Sequence, residues 1–117
     1  MKEHYKNNFK YDPLAFCKDN VIDFIGGNLI KYIARYPYKE QREADLKKAI
    51  DYLDNFVNYA PRLTISRSSI EKFMQNKGLS DMQKDIFKDV FYFLNTLSVE
   101  HYNRIHRKLQ NELKAIK

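Results

Sequence analysis

Apolar residues recur along this chain at spacings of three and four, while alternation in steps of two is confined to a few positions. That periodicity belongs to amphipathic helices, and with only three glycines and three prolines to interrupt it, the sequence predicts an all-α protein. The expected architecture is a compact helical domain of five to six helices around a central helix hairpin. Asp12-Pro13 reads as a helix start: Asp is a good cap, and Pro is tolerated at the first position because its missing N–H would have no partner there. A short helix over about 14–20 comes next. A second runs to about residue 36, where Pro37 disfavours helical geometry in the residue before it. The third is expected over about 40–59, ahead of Pro61. Ser68 with Glu71 reads as a capping box for a short helix closed by Gly78 at C′, and Ser80 with Gln83 as a second box opening a helix to about 96. Ser98 caps the last helix. Between them, 61–67 alternates briefly and is expected to lie extended, as a short strand.

Placing side chains at about 100° per residue assigns faces. Ile22, Ile25, Leu29 and Ile33 make the core stripe of the second helix, and Leu46, Ile50, Leu53 and Val57 that of the third, with Lys47, Asp51 and Asp54 outward. The helix to residue 96 is apolar over about half its circumference, through Met82, Ile86, Val90, Phe93 and Leu97 with Phe87, Phe91 and Leu94. It is therefore central, or else part of a subunit interface in a homo-oligomer. The last helix sets Tyr102, Ile105, Leu109, Leu113 and Ile116 against Arg104, Arg107, Lys108, Lys114 and Lys117. Such a basic amphipathic helix docks on its own domain, or offers 98–117 to nucleic acid or an acidic protein.

At 117 residues the chain suffices for a single domain with its own core. The net charge of +6 is uneven: residues 1–60 hold ten Lys and Arg against nine Asp and Glu, and 61–117 hold eleven against six. The single cysteine, Cys17, excludes an internal disulfide and points to a reducing compartment. No apolar run approaches the roughly 20 residues that span a bilayer, and the first residues lack the apolar core of a signal peptide. A cytoplasmic protein with no membrane partner is expected.

A second stripe runs beside each core face of the presumed hairpin. Asn28, Lys31, Tyr32 and Arg35 share one side of the second helix, and Asp45, Lys48, Tyr52 and Asn55 one side of the third. Folded back on each other through the loop at 37–41, which carries Lys39, these stripes converge on one cationic cleft. Arg and Lys bind phosphate oxygens, and tyrosine rings stack on bases, so the cleft suits a nucleotide or another phosphate-bearing ligand. The plainer reading is a solvated face with an Asp45–Lys48 ion pair and tyrosines covering the core. Gly26-Gly27 favours the functional reading: either the helix breaks there and Asn28 caps a new one, or two backbones approach closely.

The residues carrying these stripes resemble a known pattern. His4-Tyr5, Pro13, Gly27-Asn28, Lys31-Tyr32, Arg35, Lys39, Asp45-Leu46, Lys48-Ala49 and Tyr52-Leu53 are similar, in order and spacing, to a small phage-encoded family, the SaV-like domain of unknown function, described as nucleotide kinase-like. The resemblance covers roughly residues 4–57. It implies a protein working in an infected bacterial cell, phosphorylating a (deoxy)nucleoside monophosphate with ATP or another nucleotide, the magnesium requirement open. Lys31, Arg35, Asp45 and Lys48 would then be the catalytic set, with Asn28, Tyr32, Lys39, Tyr52 and His4 binding the ligand. The chain departs from the pattern at Tyr36-Pro37, where the family has a small residue after the arginine.

The sequence contains no GxxxxGK[ST], so any kinase here works without a Walker A loop. Phosphoryl transfer asks mainly for charge neutralisation and alignment, which a cationic cleft can supply. His101 and His106 are not spaced as a metal pair, and no structural metal is expected. Two other classes stand beside the kinase: a phage-encoded inhibitor of a host or anti-phage defence protein, acting through 98–117, and a nucleotide-binding module without turnover.

Overall fold

The computed structural model describes residues 10–38 and 40–116, and in these the expectation of an all-α protein holds. Six helices succeed one another: α1 (Pro13–Asp19), α2 (Phe24–Arg35), α3 (Arg42–Tyr59), α4 (Arg67–Met74), α5 (Asp81–Thr96) and α6 (Val99–Lys114), with a 3-10 turn at Tyr36–Tyr38 between α2 and α3. No strand occurs among the described residues. None of the described helices is long and apolar enough to cross a membrane.

The starts obey local chemistry. Asp12 caps α1 by accepting from Ala15 N–H, with Pro13 at the first helical position. Ser80 and Gln83 form the reciprocal capping box of α5, and Ser98 caps α6. For α4 the cap is Ser66 rather than Ser68. The Ser66 hydroxyl accepts from Ser69 N–H at 3.1 Å, so the helix begins earlier than the Ser68/Glu71 spacing implied. Gly78 does not close α4, which ends at Met74 with Gln75 as its cap; Gly78 instead lies buried under Tyr38, whose hydroxyl donates to its carbonyl.

The segment 61–66 lies outside the helices and pairs with a helix end instead of a strand. Leu63 N–H donates to Leu94 O, and the Asn95 side chain accepts from Ile65 N–H at 2.8 Å and donates to Ile65 O at 3.1 Å, imitating a strand neighbour. Asn76 does the same for the backbone of Tyr11 from a buried position. Amide side chains thus satisfy backbone groups that burial would otherwise leave unpaired.

The helices α2 and α3 pack along their length as the predicted hairpin, and α5 and α6 close over it. Leu29, Ile33, Leu46 and Leu53 are fully buried as expected. Val57 is not: it is 50% exposed, and Phe56 takes the core position, edge-on to Phe93 at 5.8 Å. Met82 and Leu97 likewise sit at the exposed ends of the α5 stripe, while Ile86, Phe87, Val90, Phe91, Phe93 and Leu94 are buried. Phe16, Phe73, Phe87 and Phe91 form an aromatic cluster with centroid separations of 4.9 to 5.8 Å, joining α1, α4 and α5.

One polar residue ties the hairpin to α5. Gln83 is fully buried, and beyond its capping role its amide donates to Ile33 O and Ala34 O, both at 2.9 Å. These are carbonyls of the last turn of α2, which the helix itself leaves without partners. Of the two α6 alternatives, docking on the domain is what the helix does: Ile105 and Leu109 are buried, Tyr102 donates to Asp54 at 2.5 Å and Tyr36 to Glu112 at 2.7 Å.

Candidate functional site: a cationic face on the helix hairpin

Asp23 starts α2, accepting from both Ile25 N–H and Gly26 N–H. Gly26 and Gly27 lie inside the helix, so there is no break before Asn28, and Asn28 is not a cap. Its amide donates to Phe24 O one turn back, at 3.0 Å. The alternative, a close approach, is found at Gly26, but to side chains and not to a second backbone. A methyl group on Gly26 would meet Asp23 Oδ1 at 2.9 Å and Ile22 at 3.1 Å, with the Phe56 ring at 3.4 Å, so the missing side chain makes room chiefly for the capping Asp23 and Ile22 that lead into α2.

The packing of α2 on α3 brings the two polar stripes together. Arg35, in the last turn of α2, donates from Nε and Nη2 to the two oxygens of Asp45 in the first turn of α3, both at 3.2 Å. Asp45 is fully buried, and the pair clamps the loop end of the hairpin. The Asp45–Lys48 ion pair expected from helix spacing is therefore not formed; Asp45 belongs to Arg35.

One turn back along α2, Tyr32 is 8% exposed and stacks on Tyr52 of α3 with centroids 5.9 Å apart and planes 13° from parallel. Three cations surround its ring: Lys31 Nζ at 4.7 Å from the centroid, Arg35 Cζ at 4.9 Å and Lys48 Nζ at 5.4 Å. Tyr52 in turn meets the edge of Phe24 at 6.2 Å, and Phe24 is 76% exposed. Tyr32 is thus a buried platform for cations and leaves no open face for a base.

The electrostatic consequence is a local excess of positive charge. Asp45 neutralises Arg35, and among the described residues neither Lys31 nor Lys48 has a carboxylate within ion-pair distance. Cation–π contact, roughly 0.5–1 kcal/mol at an exposed site, explains where the ammonium groups rest without removing their charge. Of the residues expected at the site, Lys31, Tyr32, Arg35, Asp45, Lys48 and Tyr52 come together and Asn28 lies one turn away on α2. His4 and Lys39 lie outside the described residues. Phe24 was missed although it lies four residues before Asn28 and so extends the same stripe at the helix start.

Two cations of α6, Lys108 and Arg104, behave differently. Lys108 donates to Asp89 at 2.6 Å and pairs with Asp85 at 2.9 Å, while Arg104 bonds Glu100 at 2.7 Å and faces Asp89 at 3.8 Å. Burial opposes the charge on Lys108, yet its hydrogen bonds to Asp89 and Asp85 outweigh that and hold its pKa above the ordinary lysine value. Lys108, and Arg104 through Asp89, fasten α6 to α5, whereas Arg107 and Lys114 have no carboxylate within ion-pair distance among the described residues. A separate cavity of about 500 Å³ opens beside α1, lined among others by Asp19, Asn20, Arg62, Thr64 and Ser69. Among the described residues no group of three His, Cys, Asp or Glu side chains is placed to hold a metal ion.

No curated protein and no solved structure matches the chain. Residues 2–54, the span that holds α1, α2, the 3-10 turn and most of α3, are similar to the family described as protein of unknown function DUF3310, so the cationic face lies within the portion that the family shares.

Proposed function

We propose that this is a nucleotide-handling protein, phage-encoded as the sequence resemblance implies, that holds the phosphates of its ligand on the α2–α3 face. The observation that carries this reading is the gathering of Lys31, Arg35 and Lys48 within 5.4 Å of one tyrosine ring, with Asp45 the single carboxylate paired to them among the described residues. Like charges repel, and two lysines that no described carboxylate neutralises favour an anionic ligand in such company. A phosphate approaching Tyr32 meets two ammonium groups and the outer edge of a guanidinium that Asp45 already holds in orientation.

Binding is better supported than transfer. Asp45 is fully buried and takes two of the five N–H donors of Arg35, at Nε and Nη2, so it serves as a positioning residue. Phosphoryl transfer to a nucleoside monophosphate, with ATP as donor, would rest on charge neutralisation by the three cations. The inhibitor reading has less behind it, since Arg104 and Lys108 are spent on contacts within the domain and only Arg107 and Lys114 of the described α6 cations are left unpaired.

The test combines equilibrium binding of ADP and of each deoxynucleoside monophosphate with an assay for diphosphate formation from ATP, with and without magnesium. Wild type should bind and Lys31→Ala/Lys48→Ala should not, with folding unchanged by circular dichroism. Turnover abolished by the double variant would extend the reading to a kinase; equal binding by both proteins would refute it.

A further inference from the structure

The site is not a pocket closed around a small molecule but a strip along two helices. Phe24, Tyr52 and Tyr32 make a continuous run of rings, in steps of 6.2 and 5.9 Å, that starts at an exposed phenyl group and ends among the three cations. Phe24 is at the first position of α2 and 76% exposed, and it is the one ring of this run that solvent reaches freely. From Phe24 to Lys31 the helix rises about 10 Å, at roughly 1.5 Å per residue. A mononucleotide carries its phosphate one sugar away from its base, short of the roughly 10 Å of helix between Phe24 and Lys31. A strand of several nucleotides spans it, with one base on the open ring and the next phosphates over the lysines. An open ring about 10 Å along the helix from two lysines that no described carboxylate pairs supplies the two elements that single-stranded nucleic acid requires, and they tolerate any sequence because every base has a π-face.

We infer that the α2–α3 face binds single-stranded nucleic acid, Phe24 stacking a base and Lys31, Lys48 and the outer edge of Arg35 receiving the backbone phosphates. This rests on the phosphate-binding reading above and names the ligand class for the same site. Exposed Phe24 has no other assignment in the fold, and the phosphate reading alone leaves it unused. With two to three phosphates held, log affinity falls with log salt with a slope of roughly −1.4 to −2, at about −0.7 per phosphate for single strands.

The experiment is fluorescence anisotropy of the full chain with labelled oligothymidylate as monomer, trimer and hexamer, an oligouridylate hexamer, and pyrophosphate as competitor. The hexamer, deoxy or ribo, should bind about tenfold or more tightly than the monomer. Phe24→Ala should weaken hexamer binding by about tenfold, the loss of one stacked base, while leaving pyrophosphate competition for the monomer site unchanged. Phe24→Tyr should restore it. If pyrophosphate and the monomer bind but the hexamer gains nothing, or Phe24→Ala is silent, the strand inference is overturned and the phosphate site survives. If pyrophosphate, monomer and hexamer all fail to bind, the phosphate reading falls and this inference with it.

Discussion

Replacing Arg35 by alanine removes the partner of a carboxylate whose side chain is 1% exposed, while Arg35 itself is 22% exposed. Breaking a buried ion pair from one side costs about 3–5 kcal/mol, because the charge left behind has neither water nor a counter-ion. The Arg35–Asp45 contact has two hydrogen bonds at 3.2 Å, and among the described residues no second cation bonds Asp45, so the upper part of that range applies to Arg35→Ala. The reverse change, Asp45→Ala, frees a guanidinium that reaches solvent and should cost less, about 1–3 kcal/mol. Arg35→Lys keeps a charge but not the planar fork, and should recover only part of the loss. Urea unfolding followed by circular dichroism measures each, the change appearing in the midpoint with the slope unchanged. The two alanine variants also move phosphate binding in opposite directions: Arg35→Ala weakens it, and Asp45→Ala strengthens it by releasing the guanidinium. Arg35→Ala costing under about 1 kcal/mol, or Asp45→Ala proving the more damaging, would refute the assignment of this pair as the clamp of the hairpin.

Three further outcomes rest on the same geometry. Gly26→Ala should destabilise the fold by about 1 kcal/mol, since the 2.9 Å approach to Asp23 Oδ1 outweighs the gain in helix propensity, whereas Gly27→Ala, 3.6 Å from Cys17 Sγ, should stabilise it by about 0.5–1 kcal/mol; thermal melts of both separate the cases. Phe56→Ala should cost about 3–5 kcal/mol and Val57→Ala under about 1 kcal/mol, by the same denaturation assay, because Phe56 is fully buried and Val57 half exposed. Burial, with Asp23 and Asp12 nearby, pushes the Cys17 thiol up to about 11, so the native protein should react slowly with iodoacetamide at pH 8 and accelerate only above pH 10. The unfolded chain loses that proton near 9.0 and the folded one near 11, so the contribution of Cys17 to stability is full below pH 9 and declines as pH rises between those values.

Local signals carried the parts of the fold that local chemistry decides. Asp12-Pro13, Ser80 with Gln83, and Ser98 each place a helix start because the capping groups lie within four residues of the backbone they satisfy. Where two serines compete, spacing is insufficient: Ser66 won over Ser68 because Asn20 accepts from its N–H and fixes the chain there. The core face of α3 is displaced from Val57 to Phe56 because α5 supplies Phe93 to pack against it, a partner 37 positions away that helix periodicity cannot report. At the site, the stripes of α2 and α3 were readable one helix at a time, but which cation takes Asp45 depends on how the helices cross. That choice, Arg35 over Lys48, turns Asp45 from a candidate catalytic group into a buried anchor. Gln83 shows the same limit, since its second role satisfies carbonyls of α2 that lie 49 and 50 residues back.

Whether Lys31, Arg35 and Lys48 hold an anion on the α2–α3 face is decided by amide and side-chain chemical-shift mapping with ADP titrated into labelled protein. Saturable shifts are expected at Lys31, Tyr32, Arg35 and Lys48, lost in Lys31→Ala/Lys48→Ala; shifts confined to the cavity around Asp19, Arg62 and Ser69, or none at all, would rule the site out.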